Sequence, residues 1–288
     1  MTSLTYRLTA KFILGLIGLL LIGSLPALFN GISLNISSYG LSLTSVLAQL
    51  IHPWATKFMI GNNFYHLFPH IFRPWAYSME IYFISFFCAF IIALSVTFAT
   101  LLMPRGFQKA VKGILFVLEA LPDVLVIILL QLGVLWIYQR TSMLIANVAS
   151  YGQDDRAILL PLIAMTAMPA IMLFRTMLLD FELEGDQHYV ELAKSKGLKT
   201  RSILFVHMFR NAIIQVFLDS KYILWFMLSN LLMIEYLFNL RALTNFMLEH
   251  PKPYIFTIGL LLFFIPIFIF LAIGQVIIEK VTNRKMEV

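Results

Sequence analysis

The sequence predicts an all-α integral membrane protein of six transmembrane helices, on three observations. Of its 288 residues 60% are hydrophobic and only 12% are charged, against roughly 25% charge in soluble domains. Six apolar runs come near the ~20 residues a helix needs to cross a bilayer: 12–29, 79–103, 113–138, 158–179, 222–238 and 254–278. Six spans put both termini on one side. If that side is cytoplasmic, 15 of the 21 Lys and Arg fall in inner segments, and this bias sets the orientation with both ends inside. The net charge of +6 thus reports topology, not nucleic acid binding, because the basic residues sit beside apolar runs.

Taken in order, the first run follows Arg7 and Lys11 as the core of a signal peptide would, but its length favours an uncleaved span over a cleaved signal. The segment 30–78 is the longest outer one. It is rich in Ser, Asn, Pro and aromatics, and within it "LTSVLAQLIHPWATKF" predicts a short amphipathic helix on the outer membrane surface. His66 and His70 stand four apart, a metal-ligand spacing, but Pro69 disfavours a regular helix through them and no third ligand is evident, so no metal is expected. Cys88 has no intrachain partner for a disulfide.

In the third run, Glu119 and Asp123 lie one turn apart with Pro122 between them, on one face of a helix that Pro122 would kink. Ionisable groups inside a span usually face protein or a water path, so path-lining and a structural contact both remain open. Glu235, near the outer end of the fifth run, joins Glu119, Pro122 and Asp123 as a candidate path residue and reads as an interfacial, solvated carboxylate, while Arg175 reads as snorkelling to the inner interface.

The segment 180–221 is polar and basic in a chain otherwise apolar. As a helix, 189–196 places Tyr189, Val190, Leu192 and Ala193 on one face and Glu191, Lys194 and Ser195 on the other. Gly197 is suited to the left-handed cap that ends a helix, with Leu198 as its apolar companion. Thr200 or Ser202 is expected to cap a second helix running toward the fifth span.

This stretch, "YVELAKSKGLKTRSILFVHMFRNAI", resembles the EAA loop of ABC-importer permeases: Glu191, Ala193 and Gly197 match its Glu-Ala-Ala and the Gly six residues after the Glu. Tyr189, Lys196, Leu198, His207, Arg210 and Asn211 extend the likeness to the oligopeptide, dipeptide and nickel permeases. Gln215 stands where relatives commonly have proline, and "FNLRAL" replaces the Pro-Gly-Leu often found after the fifth span. The resemblance covers roughly 85–280 and implies a permease subunit in a bacterial inner membrane. In that family the loop's first helix seats in a groove on a cytoplasmic ATPase. The implied partners are a second homologous permease, two ATPase chains and an extracytoplasmic solute-binding protein, besides membrane lipid, with no nucleic acid. ATP and Mg belong to the ATPase chains; this chain has no G-x-x-x-x-G-K-[ST] loop and no cofactor of its own is expected. On the residues alone, an ion-coupled secondary transporter using Glu119 and Asp123, or a membrane-embedded enzyme, remain the rivals.

Overall fold

The computed structural model describes residues 2–30, 33–150 and 156–282; Arg284 and Lys285, which count among the 15 inner basic residues, lie outside them. Six helical stretches among the described residues are long and apolar enough to span: Leu4–Leu28, Phe72–Leu101, Asp123–Thr141, Leu159–Gly185, Thr200–Leu237 and Pro253–Lys280. The chain divides into two compact units, Met1–Met79 with Arg241–Val288, and Glu80–Leu240.

In the first unit, α1 (Thr2–Ser24) packs along α12 (Pro253–Thr282). Small residues set how close they come. A Cβ at Gly23 would fall 2.0 Å from Thr257 Oγ1, and one at Gly15 2.5 Å from the Phe264 ring. Two short strands, β1 (Phe29–Asn30) and β2 (Ser33–Leu34), lead into α2, Ile36–Ile51. This helix starts seven residues earlier than the run at 43–58 suggests, because Asn35 caps it: its Oδ1 accepts from the Ser38 N–H at 3.0 Å. It stops at His52 because Pro53 follows, and a residue before proline avoids the helical region.

Lys57 and Phe58, expected in that helix, lie instead in a hairpin of β3 (Lys57–Ile60) and β4 (Asn63–His66). Gly61, at φ +59, provides the tight turn between them. Cross-strand partners Phe58 and Tyr65 share a face. The Phe58 ring lies against the rings of His70, Phe246 and His250 at 5.0 to 5.9 Å, which joins the hairpin to α3 (Leu67–His70) and α11 (Leu243–Glu249). The Nδ1 atoms of His66 and His70 contact the carbonyls of Trp54 and His66. No group of three His, Cys, Asp or Glu converges among the described residues.

In the second unit the continuation of α4 (Phe72–Leu102), α5 (Arg105–Glu119), α6 (Asp123–Thr141), α7 (Leu159–Gly185) and α10 (Phe209–Leu237) surround a core centred on α7. Leu173, Met177 and Phe181 are buried along it. The Tyr82 hydroxyl donates to the Leu224 carbonyl at 2.7 Å, so a polar group at membrane depth has its partner.

The third apolar run is not one kinked helix. The chain tightens at Ala120 and Leu121, whose N–H groups reach back only three residues, and Pro122 is extended. Proline removes a donor and turns its predecessor away from the helical region, so α5 ends and α6 starts anew. Glu119 and Asp123 therefore do not share a continuous helical face. The fifth span also begins earlier than its apolar run, at Thr200.

Candidate functional site

The polar segment folds into a corner. After α7, two residues lead into α8, His188–Ser195, which ends at Lys196. Gly197 has φ +77. Its N–H bonds the Lys194 carbonyl at 2.9 Å, and the Leu198 N–H reaches the Ala193 carbonyl at 3.2 Å, the paired bonds of a Schellman cap. The chain then restarts at α9 (Thr200–Ser202). Neither Thr200 nor Ser202 caps it; Lys199 holds the cap position and makes no side-chain bond. A π turn over Ile203–Met208 carries α9 into α10, with the Phe209 N–H bonded five residues back to Leu204. Such turns widen a helix by one residue and change which side chains face inward.

The corner has its own core. Val190 and Ala193 of α8 pack with Phe181 of α7, Ile203, Leu204 and Met208 of the π turn, and Ala212 of α10. The Phe98 ring of α4 closes it, with centroids 5.3 Å from Phe181 and 4.5 Å from Phe205. One expectation about the face fails here: Leu192 points out, 56% exposed. It lies about 100° round the helix from Ala193, too far to reach the same core. The apolar face of α8 is thus occupied by its own chain.

A carboxylate that sequence reasoning missed fixes the corner from within. Glu184 Oε1, near the end of α7, accepts from the Tyr189 hydroxyl at 2.5 Å and from Asn211 Nδ2 at 2.9 Å, tying α7, α8 and α10 together. Burial and the hydrogen bond to Glu184 push the Tyr189 pKa up from 10.0 to about 12, so its hydroxyl remains a donor at neutral pH. Nothing in the sequence around Glu184 marks it out, because its partners are 5 and 27 residues away. The nine residues singled out in this loop therefore divide. Tyr189, Ala193 and Asn211 hold the corner, Gly197 turns it, and Glu191, Lys196, Leu198, His207 and Arg210 are exposed.

The ionisable residues of the third run have separate partners. Glu119 receives both carboxylate bonds from Arg175 Nη1, at 3.0 and 3.2 Å, so Arg175 is an ion-pair partner rather than a snorkelling side chain. Lys112 meets Glu182 at 2.7 Å. The two pairs are seven residues apart on both α5 and α7 and run in opposite senses, which registers the two helices antiparallel. Asp123 accepts from Asn230 of α10 at 2.8 Å. Glu235 is fully buried, not solvated at an interface as the sequence suggested; its backbone carbonyl accepts the Leu240 N–H at 2.8 Å where the chain leaves α10.

The fold is helical and multi-span, with a capped corner between its fourth and fifth spans, and comparison with known proteins supplies the class. The family model for the inner membrane component of binding-protein-dependent transport systems matches residues 95–281, more than half of the chain, and the chain belongs to that family. By that family it is an inner-membrane permease subunit of an ABC importer, and not an enzyme. Sixty-four residues, 22% of the chain, are 36% identical to a Brucella abortus protein named as a peptide transport system permease, and they span 20% of that relative's length. A Brucella suis relative of the same description matches to the same extent. Among solved structures, the MetNI methionine ABC transporter in inward-facing conformations aligns with a TM-score of 0.58 over 74% of this chain and 96% of that one, at 14% identity. That likeness is one of fold. The family removes the ion-coupled transporter and the membrane enzyme from consideration.

Proposed function

We propose that this chain is one of two permeases of a peptide importer in a bacterial inner membrane, and that α8 is the element that receives motion from an ATPase. The observation that carries the reading is the corner at 184–212. Its inner face is locked by Glu184, Val190 and Ala193, its turn by Gly197, and its outer face is free to dock. A short helix so fixed moves with α7 and α10 as one piece, which is what handing a nucleotide-driven closure to the spans requires. Both termini lie on the cytoplasmic side with α8, as the Lys and Arg distribution favours. A second homologous permease completes the path, two ATPase chains hold ATP and Mg, and a solute-binding protein delivers peptide from outside. The peptide class is favoured by the names of the Brucella relatives. Glu119, Pro122 and Asp123, at the break between α5 and α6, border the path, while buried Glu235 supports the end of α10.

The test is reconstitution with the products of neighbouring genes in proteoliposomes. Uptake of a labelled peptide should require ATP on the α8 side and persist when an uncoupler collapses the proton gradient. ATP-driven uptake of a different solute class would overturn the peptide assignment, and failure of any ATPase to bind would overturn the coupling role.

A further inference from the structure

From residue 12 to residue 56 the chain contains no Asp, Glu, Lys or Arg, yet much of that stretch lies beyond the end of α1. Its main element, α2, is 16 residues long, about 24 Å at 1.5 Å per residue, and so too short for the ~30 Å hydrocarbon core. It buries one residue, Val46. Ile36, Leu41 and Ile51 are 79%, 72% and 72% exposed, and Phe29, Leu34 and Trp54 on either side are exposed too. A face of that kind in water would be an uncovered apolar patch.

Three observations say what covers it. The Tyr39 hydroxyl donates to the Leu21 carbonyl at 3.2 Å, and Leu21 lies one turn inside the end of α1, so α2 sits at the depth of that span's last turn. The helix also packs against both α1 and α12, which continues the apolar surface of those spans. Two of its exposed hydroxyls turn back on its own backbone, Thr44 to the Leu41 carbonyl at 2.9 Å and Ser45 to the Ser42 carbonyl at 2.8 Å. Polar groups satisfied within the helix are what a lipid environment demands.

We infer that α2 is embedded in the leaflet where α1 ends, with its free face against lipid at the boundary of headgroups and acyl chains. The hairpin that follows exposes Met59, Ile60 and Phe64 as well, but it carries Lys57 and the polar turn residues Asn62 and Asn63, and this turn is the part placed in water. The inference rests on the membrane location alone and not on the peptide or ATPase assignments.

The full chain in nanodiscs tests it, with Cys88→Ser and a single environment-sensitive fluorophore on Leu41→Cys, Ile51→Cys or Asn62→Cys. Lipids bearing a nitroxide near the headgroup should quench the probes at 41 and 51 at least about twofold more than the probe at 62, as expected for an interfacial helix. A charged thiol reagent should modify the cysteine at 62 about tenfold faster than that at 41, since a charged reagent enters that layer poorly. Equal lipid quenching at all three sites overturns the inference. So does a cysteine at 41 that is protected from the reagent but not quenched by lipid, because a protein surface would then be its cover.

Discussion

The helices α8 and α2 are both too short to cross a bilayer, and they treat their apolar residues in opposite ways. In α8, Val190 and Ala193 are buried in a core supplied by α7, the π turn and α10, and Glu191, Lys194 and Ser195 are left outside. In α2 a single residue is buried, and the exposed surface is apolar and uncharged. A helix whose apolar stripe is already used by its own chain holds its shape before any partner arrives, so a partner reads its polar face. A helix whose apolar stripe is left bare takes its position from the medium that covers it. The two differ in composition, since α8 carries Glu191 and Lys194 and α2 has no charged residue, and they differ in packing.

The largest effect that bears on this contrast is expected at Val190. Val190→Asp would put an unpaired carboxylate among Phe181, Leu204 and Met208, a change on the order of 3–5 kcal/mol. The purified chain should lose thermal stability by many degrees while remaining in the membrane fraction. If it melts as the parent does, the corner has no core of its own and α8 differs from α2 in composition alone. Next comes Gly197→Val. The site has open space around it, so the cost arises from φ +77, roughly 1–2 kcal/mol for a residue with a Cβ and more for a branched one. Peptide-stimulated ATP hydrolysis by the assembled complex should fall several-fold, with membrane insertion retained; unchanged stimulation would mean that the turn is not needed for coupling.

Much of this was legible in the sequence, for identifiable reasons. Six spans follow from apolar runs that water would not tolerate, and the turn at Gly197 follows from a glycine placed where a short polar helix must stop. What could not be read depended on distant partners or on competition between nearby signals. Arg175 reads as a snorkelling side chain until α5 brings Glu119 beside it from 56 residues away. Pro122 lies in an uninterrupted apolar run, so a kink and a break look alike until the N–H groups of Ala120 and Leu121 are traced. Leu192 reads as part of the inner face with Tyr189, Val190 and Ala193, but four apolar residues in a short helix span too wide an arc for one core to take them all, and it is left exposed. Asn35 outcompeted the amphipathic pattern in setting where α2 begins, and Glu184 carried no local signature.

A smaller effect is expected at Glu184, which tests whether the corner is held by polar contacts as well as by packing. Glu184→Gln keeps Oε1, the acceptor that Tyr189 and Asn211 both use, but removes the charge that strengthens the two bonds, a loss of about 1 kcal/mol. The melting temperature should fall by a few degrees. The pH profile carries a second readout. The folded-state pKa of Tyr189 lies above its ordinary value of 10.0, at about 12, so the fold favours the neutral hydroxyl. Its contribution is fully present below pH 10 and is lost as the pH rises from 10 to about 12. In Glu184→Gln that loss should occupy a narrower window, because burial still raises the pKa but the neighbouring carboxylate no longer does. An identical alkaline profile in parent and variant would take Glu184 out of the account.

The smallest effect on stability, and the sharpest test of the contrast, is expected at Leu192. It belongs to the same helix as Val190, two residues along, but it is exposed, so Leu192→Asp should change the stability of the isolated chain by no more than about 0.5 kcal/mol. If the outer face of α8 enters a groove on an ATPase, however, Leu192 is the large apolar side chain that docking would bury, worth roughly 1.5–3 kcal/mol. That corresponds to about ten- to a hundredfold in affinity, readable by titrating the ATPase onto the chain in nanodiscs. A normal melting curve with weakened ATPase binding would show that α8 separates folding from recognition across its two faces, which α2 does not do. Unchanged binding would leave α8 as a structural corner only, and the docking surface would have to be sought among the exposed residues beyond it, at Lys196, His207 and Arg210.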